Sequence, residues 1–231
     1  MRKYILHSIV AGVELSSSSK KTTMKKLLIL LFSLFFLSSH SVVADDISDF
    51  SIEGISVGDS LLDYMTKEEI LQAIEKNKGR YLYLKEPNKY IQIVMRKDYP
   101  TYDYITVMIQ NNSSNKYVID KNEKYTILSV RGYTKYIENF DACIQEKDEI
   151  VEVLSGMFPN TQKIDQIKKY SADPSGDSIL KIYAFEFDSG ASIDVYCENL
   201  EETYRIKGNF VEGLNVGLLL PEIGRWLRDK K

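Results

Sequence analysis

The chain has 231 residues, with 30 basic, 33 acidic and two histidine side chains. Both histidines, His7 and His40, precede residue 45, so a chain that begins at residue 45 has no imidazole and a net charge of −8. This composition excludes catalysis by Ser-His-Asp or Cys-His groups and histidine-ligated zinc, copper or haem. The acidic balance also argues against nucleic acid or an anionic membrane surface as a partner.

The first patterned segment is typical of an export signal. Two lysines precede an apolar run of 11 residues at 27–37, and small residues follow up to Ala44. These are the three parts of a cleavable signal peptide, and the run is shorter than the about 18 residues of a membrane-spanning helix. The sequence therefore predicts cleavage between Ala44 and Asp45. The polar stretch before Met24 is unusual for a signal peptide, and Met24 as the true start would explain it.

The first helix is predicted at 67–77. Thr66 and Glu69 have the spacing of a capping box, and three apolar residues then follow on one helical face. Ser60 and Asp63 have the same spacing, which predicts a short helical turn before this helix.

After this helix the hydrophobic period changes to two, which is typical of strands. Four runs show it, at 81–84, 91–95, 105–109 and 126–130. Turns rich in Pro, Asn and Ser separate the runs, so the segment predicts four antiparallel strands.

A second helix is predicted over 139–157, because Pro159 disfavours helical geometry in the residue before it. The tripeptide Asp188-Ser189-Gly190 then separates two alternating segments, which is a strong hairpin pattern. The elements predicted after the second helix are hairpin strands at 179–187 and 191–197, a strand at 203–207 and an amphipathic helix at 218–228.

Residues 45–231 therefore predict a single exported α+β domain, in which an antiparallel sheet has helices packed on one face. Its halves, at about 50–136 and 137–231, repeat the order of a helix followed by strands. This order is consistent with a duplication, although the halves share no residue identity that would support one.

The cysteines Cys143 and Cys197 are an even pair in a compartment that permits oxidation, which favours a disulfide. The bond would join the second helix to the hairpin. A bond that closes this loop removes about 4 kcal/mol of unfolded-chain entropy. A pair of buried thiols is the alternative.

Tyrosine is unusually frequent, since 15 of the 16 tyrosines follow residue 44. A rigid amphipathic ring stacks on sugars and anchors interfaces at little entropic cost. The alternative is a purely structural role, because tyrosine is a good strand former on a half-exposed sheet. The candidate binding face consists of Tyr81, Tyr83, Tyr90, Tyr102 and Tyr104.

Other clusters have simpler explanations than chemistry. The early carboxylates could pair as acid and base in a hydrolase, but helix capping accounts for all of them. They are Asp59, Asp63, Glu68 and Glu69. The segment 173–177 has the residues of a turn and lacks the ligand pattern of a calcium loop. The sequence thus assigns no catalytic residue, no metal ligand and no cofactor.

One resemblance is carried by the segment Phe50-x-Ile52-Glu53-Gly54-Ile55-Ser56-x-Gly58-Asp59-Ser60-Leu61-Leu62-Asp63-Tyr64. It resembles the start of exported proteins of unknown function found in small-genome marine bacteria. Its shape is also weakly similar to that of outer-membrane assembly small lipoproteins and of β-lactamase-inhibitor-like domains. The chain lacks the lipid-bearing cysteine of the lipoproteins, and the inhibitor-like resemblance implies a binding sheet. Neither resemblance carries a catalytic residue across.

These observations predict a periplasmic or secreted, non-enzymatic binding or envelope-interaction domain that uses a tyrosine-rich sheet face. An exported carboxylate-dependent hydrolase is the alternative, so catalysis stays open. The expected partner is an unknown envelope protein or glycan, not nucleic acid, and no transmembrane segment is expected after processing. An enzyme should bring two carboxylates together in a pocket, whereas a binder should expose contiguous tyrosines on one sheet face.

Overall fold

The computed structural model describes residues 47, 50–77, 79–110 and 125–230. All of these residues belong to one compact unit, Ser41–Lys231. The predicted signal peptide and the cleavage position between Ala44 and Asp45 lie outside the described residues.

A single sheet forms the centre of the described chain. Its strands are β1 (Tyr90–Met95), β2 (Tyr104–Gln110), β3 (Ile127–Lys135), β4 (Gln162–Lys169), β5 (Ile179–Glu186), β6 (Ser192–Asn199) and β7 (Gly213–Leu219). The helices are α1 (Lys67–Lys76), α2 (Phe140–Met157), α3 (Glu202–Gly208) and α4 (Pro221–Arg228). The strand order is β1-β2-β3-β7-β6-β5-β4, and every neighbouring pair is antiparallel. The predicted α+β class with an antiparallel sheet is confirmed.

Two meanders build this sheet. The strands β1 to β3 follow α1, and the strands β4 to β7 follow α2. The meanders meet where β3 pairs with β7, which places Arg131 opposite Gly217 at the middle of the sheet. The central strands therefore come from sequence segments that are far apart.

One face of the sheet carries the main core. Because side chains alternate along a strand, every second residue of each strand points to this face. A row across six strands is at most 1% exposed and consists of Ile93, Val107, Val130, Leu218, Ile193 and Phe185. Ile70 of α1 and Leu154 of α2 cover it. We call this side the core face.

The predicted disulfide is confirmed. Cys143 on α2 and Cys197 on β6 are bonded, with their Cα atoms 6.0 Å apart, and both side chains are fully buried. The bond fixes α2 on the core face of the strand that carries Tyr196 and Glu198.

The start of α1 follows its prediction closely. The Thr66 side chain accepts a hydrogen bond from the Glu69 N–H, and the Glu69 carboxylate accepts one from the Thr66 N–H. The preceding segment forms only a three-residue 3-10 turn, because the Ser60 side chain accepts from the N–H of Leu62 and forms no capping box with Asp63. The early carboxylates therefore include one true helix cap.

Two segments in the first half differ from their predictions. Residues 81–84 form turns and one isolated bridge instead of a strand, because Tyr81 and Leu84 pack against Trp226 and its neighbours. The register of β3 shifts next to Leu128, so that Ile127 and Val130 both reach the core face. This irregularity breaks the simple alternation that the sequence predicts for 126–130.

The second half contains two unpredicted strands and one unpredicted helix. Strand β4 is an edge strand with mostly exposed polar residues, so it has no apolar alternation. Strand β7 is covered on both faces and is apolar almost throughout, a pattern that also suits a buried helix. The helix α3 replaces the strand predicted at 203–207, because the Glu201 side chain accepts hydrogen bonds from the N–H groups of Thr203 and Tyr204.

The opposite side of the sheet, which we call the open face, carries a smaller core at one end. There α4 packs on β1 and β2 through the cluster Leu84, Tyr90, Met108, Ile223 and Trp226. The Trp226 indole N–H donates to the carbonyl of Glu86 at 2.8 Å, which ties α4 to the segment before β1. The rest of the open face is free to form a concave surface.

Candidate functional site

A cavity of about 610 Å³ lies on the open face, and we call it the sheet cavity. Its floor comes from outward-pointing residues of β1, β2, β3, β7 and β6, namely Gln92, Thr106, Arg131, Asn215 and Glu198. Its walls are formed by the segment 80–83 and by the connection from α3 to β7. Its volume lies in the range of small-molecule sites, about 300 to 1,000 Å³.

Arg131 lies on the floor of the sheet cavity and is held in place by its neighbours. A Cβ atom at Gly217 would lie 2.9 Å from both Cβ and Nε of Arg131, so the glycine leaves the room that the arginine uses. The Arg131 side chain passes over β7 and donates through Nη1 to the hydroxyl of Tyr196, at 2.6 Å. Its Cζ atom lies 5.1 Å from the centre of the Tyr196 ring. The guanidinium is therefore positioned before any ligand arrives.

Glu198 lies two residues beyond Tyr196 on the same face of β6. Burial raises the pKa of its carboxyl to about 7, although Arg131 and the Asn215 amide act to lower it. The buried Asn215 Nδ2 atom is close enough to influence Glu198 but forms no hydrogen bond of normal geometry with the described residues. Glu198 is thus the carboxyl group on the cavity floor that changes its charge near neutral pH.

Stacked rings form another part of the cavity surface. The rings of Tyr104 and Tyr133 are 4.7 Å apart at an interplanar angle of 19°. The Tyr133 hydroxyl donates to the carbonyl of Val211 at 2.6 Å, and the Cζ atom of Arg96 lies 4.8 Å from the centre of the Tyr104 ring. Burial raises the pKa of Tyr104 to about 12, so its phenol stays neutral and keeps its donor proton at physiological pH.

Partly exposed aromatic rings also line the cavity. Tyr83 is 51% exposed and contacts Tyr81, whose hydroxyl donates to Gln92 Oε1 at 3.1 Å. Phe210 is 43% exposed and stacks on Tyr204, with ring centres 4.9 Å apart. The cavity therefore offers flat apolar surfaces next to hydrogen-bonding groups.

The lining of the sheet cavity is positively charged. Arg80, Arg96 and Arg131 contribute three cations, whereas Glu198 is the only carboxylate among the described lining residues. No described carboxylate lies within 4.0 Å of a guanidinium nitrogen of these arginines. This local excess of positive charge contrasts with the acidic chain around it.

The five predicted tyrosines separate into three groups. Three of them line the sheet cavity, namely Tyr81, Tyr83 and Tyr104. Tyr90 lies on the same face but packs in the α4 cluster, 5.2 Å from the Trp226 ring. Tyr102 does not belong to this face: it is only 6% exposed and lies in the main core, because its ring fills the space over Gly132.

Sequence reasoning missed most of the cavity floor, including Arg131, Tyr133, Tyr196, Glu198 and Asn215. One signal was present in β6, where polar or aromatic residues alternate with Ile193, Val195 and Cys197. That alternation places Tyr196 and Glu198 on the face away from the core, but it does not reveal which strand lies beside them.

Other features of the described residues limit the chemistry. They contain no group of three or more His, Cys, Asp or Glu side chains that could hold a metal ion. None of their helices combines the length and the apolar character needed to cross a membrane.

No protein-family model matches the sequence, and no curated protein or solved structure is significantly similar to it. The sheet cavity is therefore the feature of the described residues that bears on function.

Proposed function

We propose that this protein is an exported, non-enzymatic binding module that holds a small ligand in the sheet cavity. The observation that carries this proposal is the convergence of tyrosine rings and a fixed arginine in a cavity of about 610 Å³. Such a surface offers flat apolar contacts and oriented donors together, which is the combination that small-molecule sites use.

The positions of the rings support binding of a ligand with a flat face. Tyr83 and Phe210 are exposed at the mouth, and Tyr104 is stacked against Tyr133 deeper in the cavity. Rings fixed by packing lose little conformational entropy when a ligand stacks on them. A sugar ring or an aromatic ring is the ligand surface that these contacts fit.

The hydrolase alternative receives less support. A glycosidase mechanism needs two carboxyl groups about 5 to 9.5 Å apart on either side of the scissile bond. Among the described residues that line the sheet cavity, Glu198 alone supplies a carboxyl group. The carboxylates at 59–69 do not line the cavity. One of them, Asp59, accepts hydrogen bonds from the Ser56 N–H and the Tyr64 hydroxyl.

The proposed location is the periplasm or the exterior of the cell, with an envelope component as the source of the ligand. The predicted signal peptide at 1–44 is the basis for export. The Cys143–Cys197 disulfide supports an oxidising compartment, where such bonds persist.

A thermal-shift screen tests the binding function. The purified protein is mixed with a library of monosaccharides, oligosaccharides, nucleosides and aromatic acids, alongside the variants Tyr83→Ala and Leu82→Ala. Leu82 is the matched control, because it is 59% exposed and adjacent to Tyr83 but does not line the sheet cavity.

We expect at least one compound to raise the melting temperature of the wild type and of Leu82→Ala but not of Tyr83→Ala. Compounds that shift all three proteins equally, or a library without any effect, would contradict the proposal. Release of 4-nitrophenol from 4-nitrophenyl glycosides that is lost in Glu198→Gln would favour the hydrolase instead.

A further inference from the structure

We infer, on the basis of the binding function proposed above, that the sheet cavity selects ligands that carry a carboxylate or sulfate next to a flat ring. Glu198, the one carboxyl group among the described lining residues, opposes the binding of these anions while it is charged. The inference rests on the charges of the lining, the fixed position of Arg131 and the groups that surround Glu198.

Arg131 has N–H donors beyond the one that Tyr196 accepts. A guanidinium has five N–H donors in a planar fork that matches the geometry of an oxyanion. Arg131 gives one side-chain hydrogen bond to a described residue, the hydroxyl of Tyr196. Asp194 and Glu198 act on its charge, but no described carboxylate lies within 4.0 Å of its guanidinium nitrogens. Donors therefore remain on a partly buried cation that faces the cavity.

Three arginines create a positive field inside the sheet cavity. Arg80 and Arg96 are exposed near the mouth, and Arg131 is partly buried on the floor. Cations along a concave path with low-dielectric walls focus the potential and attract anions, and salt screens a partly buried charge less than an exposed one. The path from the mouth to the floor therefore favours an anionic group that ends at Arg131.

Aromatic rings lie beside Arg131 on the cavity floor. The Tyr196 ring lies next to Arg131, and Tyr133, which is stacked on Tyr104 of β2, lies two residues from Arg131 on the same face of β3. An oxyanion at Arg131 would therefore have aromatic surface beside it, which suits an acidic sugar, a sulfated sugar or an aromatic acid.

The groups around Glu198 determine what its charge does to a bound anion. The titratable or polar groups that face it are Arg131 and Tyr133 on β3, Tyr104 on β2, Tyr196 on β6, Asn215 on β7, Glu212 before β7 and Tyr170 after β4. Arg131 is the one cation in this set, and the tyrosines are neutral near pH 7. An ionised Glu198 would therefore repel a ligand anion and partly neutralise Arg131.

The sign of the pH effect follows from the carboxyl group. Burial raises the pKa of Glu198 to about 7, so the group loses its charge as the pH falls from 8 to 6. Loss of that charge removes the repulsion and frees Arg131 for the ligand. Carboxylate and sulfate ligands keep their own charge over this range, so their affinity should rise as the pH falls.

Isothermal titration calorimetry with matched probes tests this inference. The probes are 4-nitrophenyl β-D-glucuronide, 4-nitrophenyl β-D-glucoside and the 6-sulfate of that glucoside, each at pH 6 and at pH 8. They share both rings and differ in the anionic group, and the two anionic probes show whether carboxylate or sulfate fits better.

We expect at least one anionic probe to bind about tenfold more tightly than the neutral glucoside at pH 6, the effect of one charge-assisted contact. The advantage should shrink severalfold at pH 8. Arg131→Gln should abolish it, and Glu198→Gln should keep it at both pH values. Lys163→Gln is the charge-matched control, because Lys163 is exposed on the edge strand β4 and does not line the cavity.

The outcomes separate this inference from the binding function. Equal affinity for the neutral and anionic probes, with loss in Tyr83→Ala, would overturn the inference and leave the binding function standing. Absence of binding by all three probes would also overturn it, while the library screen judges the binding function independently. If Arg131→Gln does not fold, as judged by circular dichroism, Arg131→Lys replaces it. Lysine keeps the charge but lacks the planar fork of donors, so an unchanged anion preference in Arg131→Lys would count against the inference.

Discussion

The two faces of the sheet use the same strands for different purposes. On the core face, residues such as Ile105 and Ile193 are fully buried under α1 and α2. On the open face, their sequence neighbours Tyr104 and Asp194 stay partly exposed. Since alternate residues of a strand point to opposite faces, stability and ligand chemistry can be altered independently along one segment. A core-face change and an open-face change should therefore have separable effects.

The largest expected effect is on the core face and comes from the disulfide. Replacement of both Cys143 and Cys197 by alanine should lower the free energy of unfolding by about 4 kcal/mol, because the unfolded chain regains the entropy of an open loop. Urea unfolding of the variant and of the wild type, with and without reductant, measures it. A wild type whose stability does not respond to reductant would contradict the prediction.

Two substitutions at adjacent residues of β2 compare the core face with the open face directly. Ile105→Ala should cost about 3 kcal/mol, since it leaves a cavity in a fully buried site. Tyr104→Ala should cost about 1 kcal/mol through the lost stacking on Tyr133, but it should weaken ligand binding. Chemical denaturation and calorimetry on both variants test the pair. A larger loss of stability in Tyr104→Ala than in Ile105→Ala would break the distinction between the two faces.

The pH dependence of stability probes the open face. The folded protein raises the pKa of Glu198 from its ordinary value of 4.5 to about 7, so folding holds this proton more tightly. The contribution of Glu198 to the free energy of unfolding is fully present below about pH 4.5 and is lost as the pH rises through about 7. The change is on the order of 3 kcal/mol at most.

The described residues contain no histidine, which leaves Glu198 as the side chain expected to titrate between pH 5 and pH 8. The free energy of unfolding should therefore fall over this range in the wild type and stay level in Glu198→Gln. Equal slopes in the two proteins would show that Glu198 does not titrate as expected.

The last expected effect concerns Gly217, the residue of β7 over which the Arg131 side chain passes. Gly217→Ala should cost about 1 to 2 kcal/mol, because the new Cβ would crowd Arg131 and the carbonyl of Val130. It should also weaken binding of the glucuronide by displacing the guanidinium. Gly156→Ala is the control: its Cβ would meet nothing within 4 Å, and alanine within α2 should stabilise by about 0.5 to 1 kcal/mol. Similar effects of the two changes would contradict the role of Gly217.

Local patterns were sufficient for several elements of the fold. The capping box at Thr66 predicts the start of α1, and Pro159 predicts the end of α2. The turn at 188–190 predicts the β5–β6 hairpin. The alternation of apolar and polar residues along β6 predicts which side of β6 faces Cys143. Each of these signals depends on residues that are close together in the sequence.

The missed elements depend on distant contacts. Strand β4 pairs only with β5 and is mostly exposed, so its sequence shows no strand period. Strand β7 lies between β3 and β6 and is buried on both faces, so its residues show no alternation. Segment 81–84 alternates like a strand, but contact with α4 places it over the sheet.

The sequence by itself determined the alternation along β1, β2, β5 and β6, the limits of α1 and α2, the disulfide pair and a supply of tyrosines. Only the tertiary structure decided that β7 lies between β3 and β6, which brings Arg131 over Gly217 to Tyr196 and beside Glu198. It also decided that Tyr102 is in the core while Tyr83 borders the cavity. The physical reason is that strand pairing is selected by burial of the whole core, whereas alternation and capping are set by neighbours along the chain.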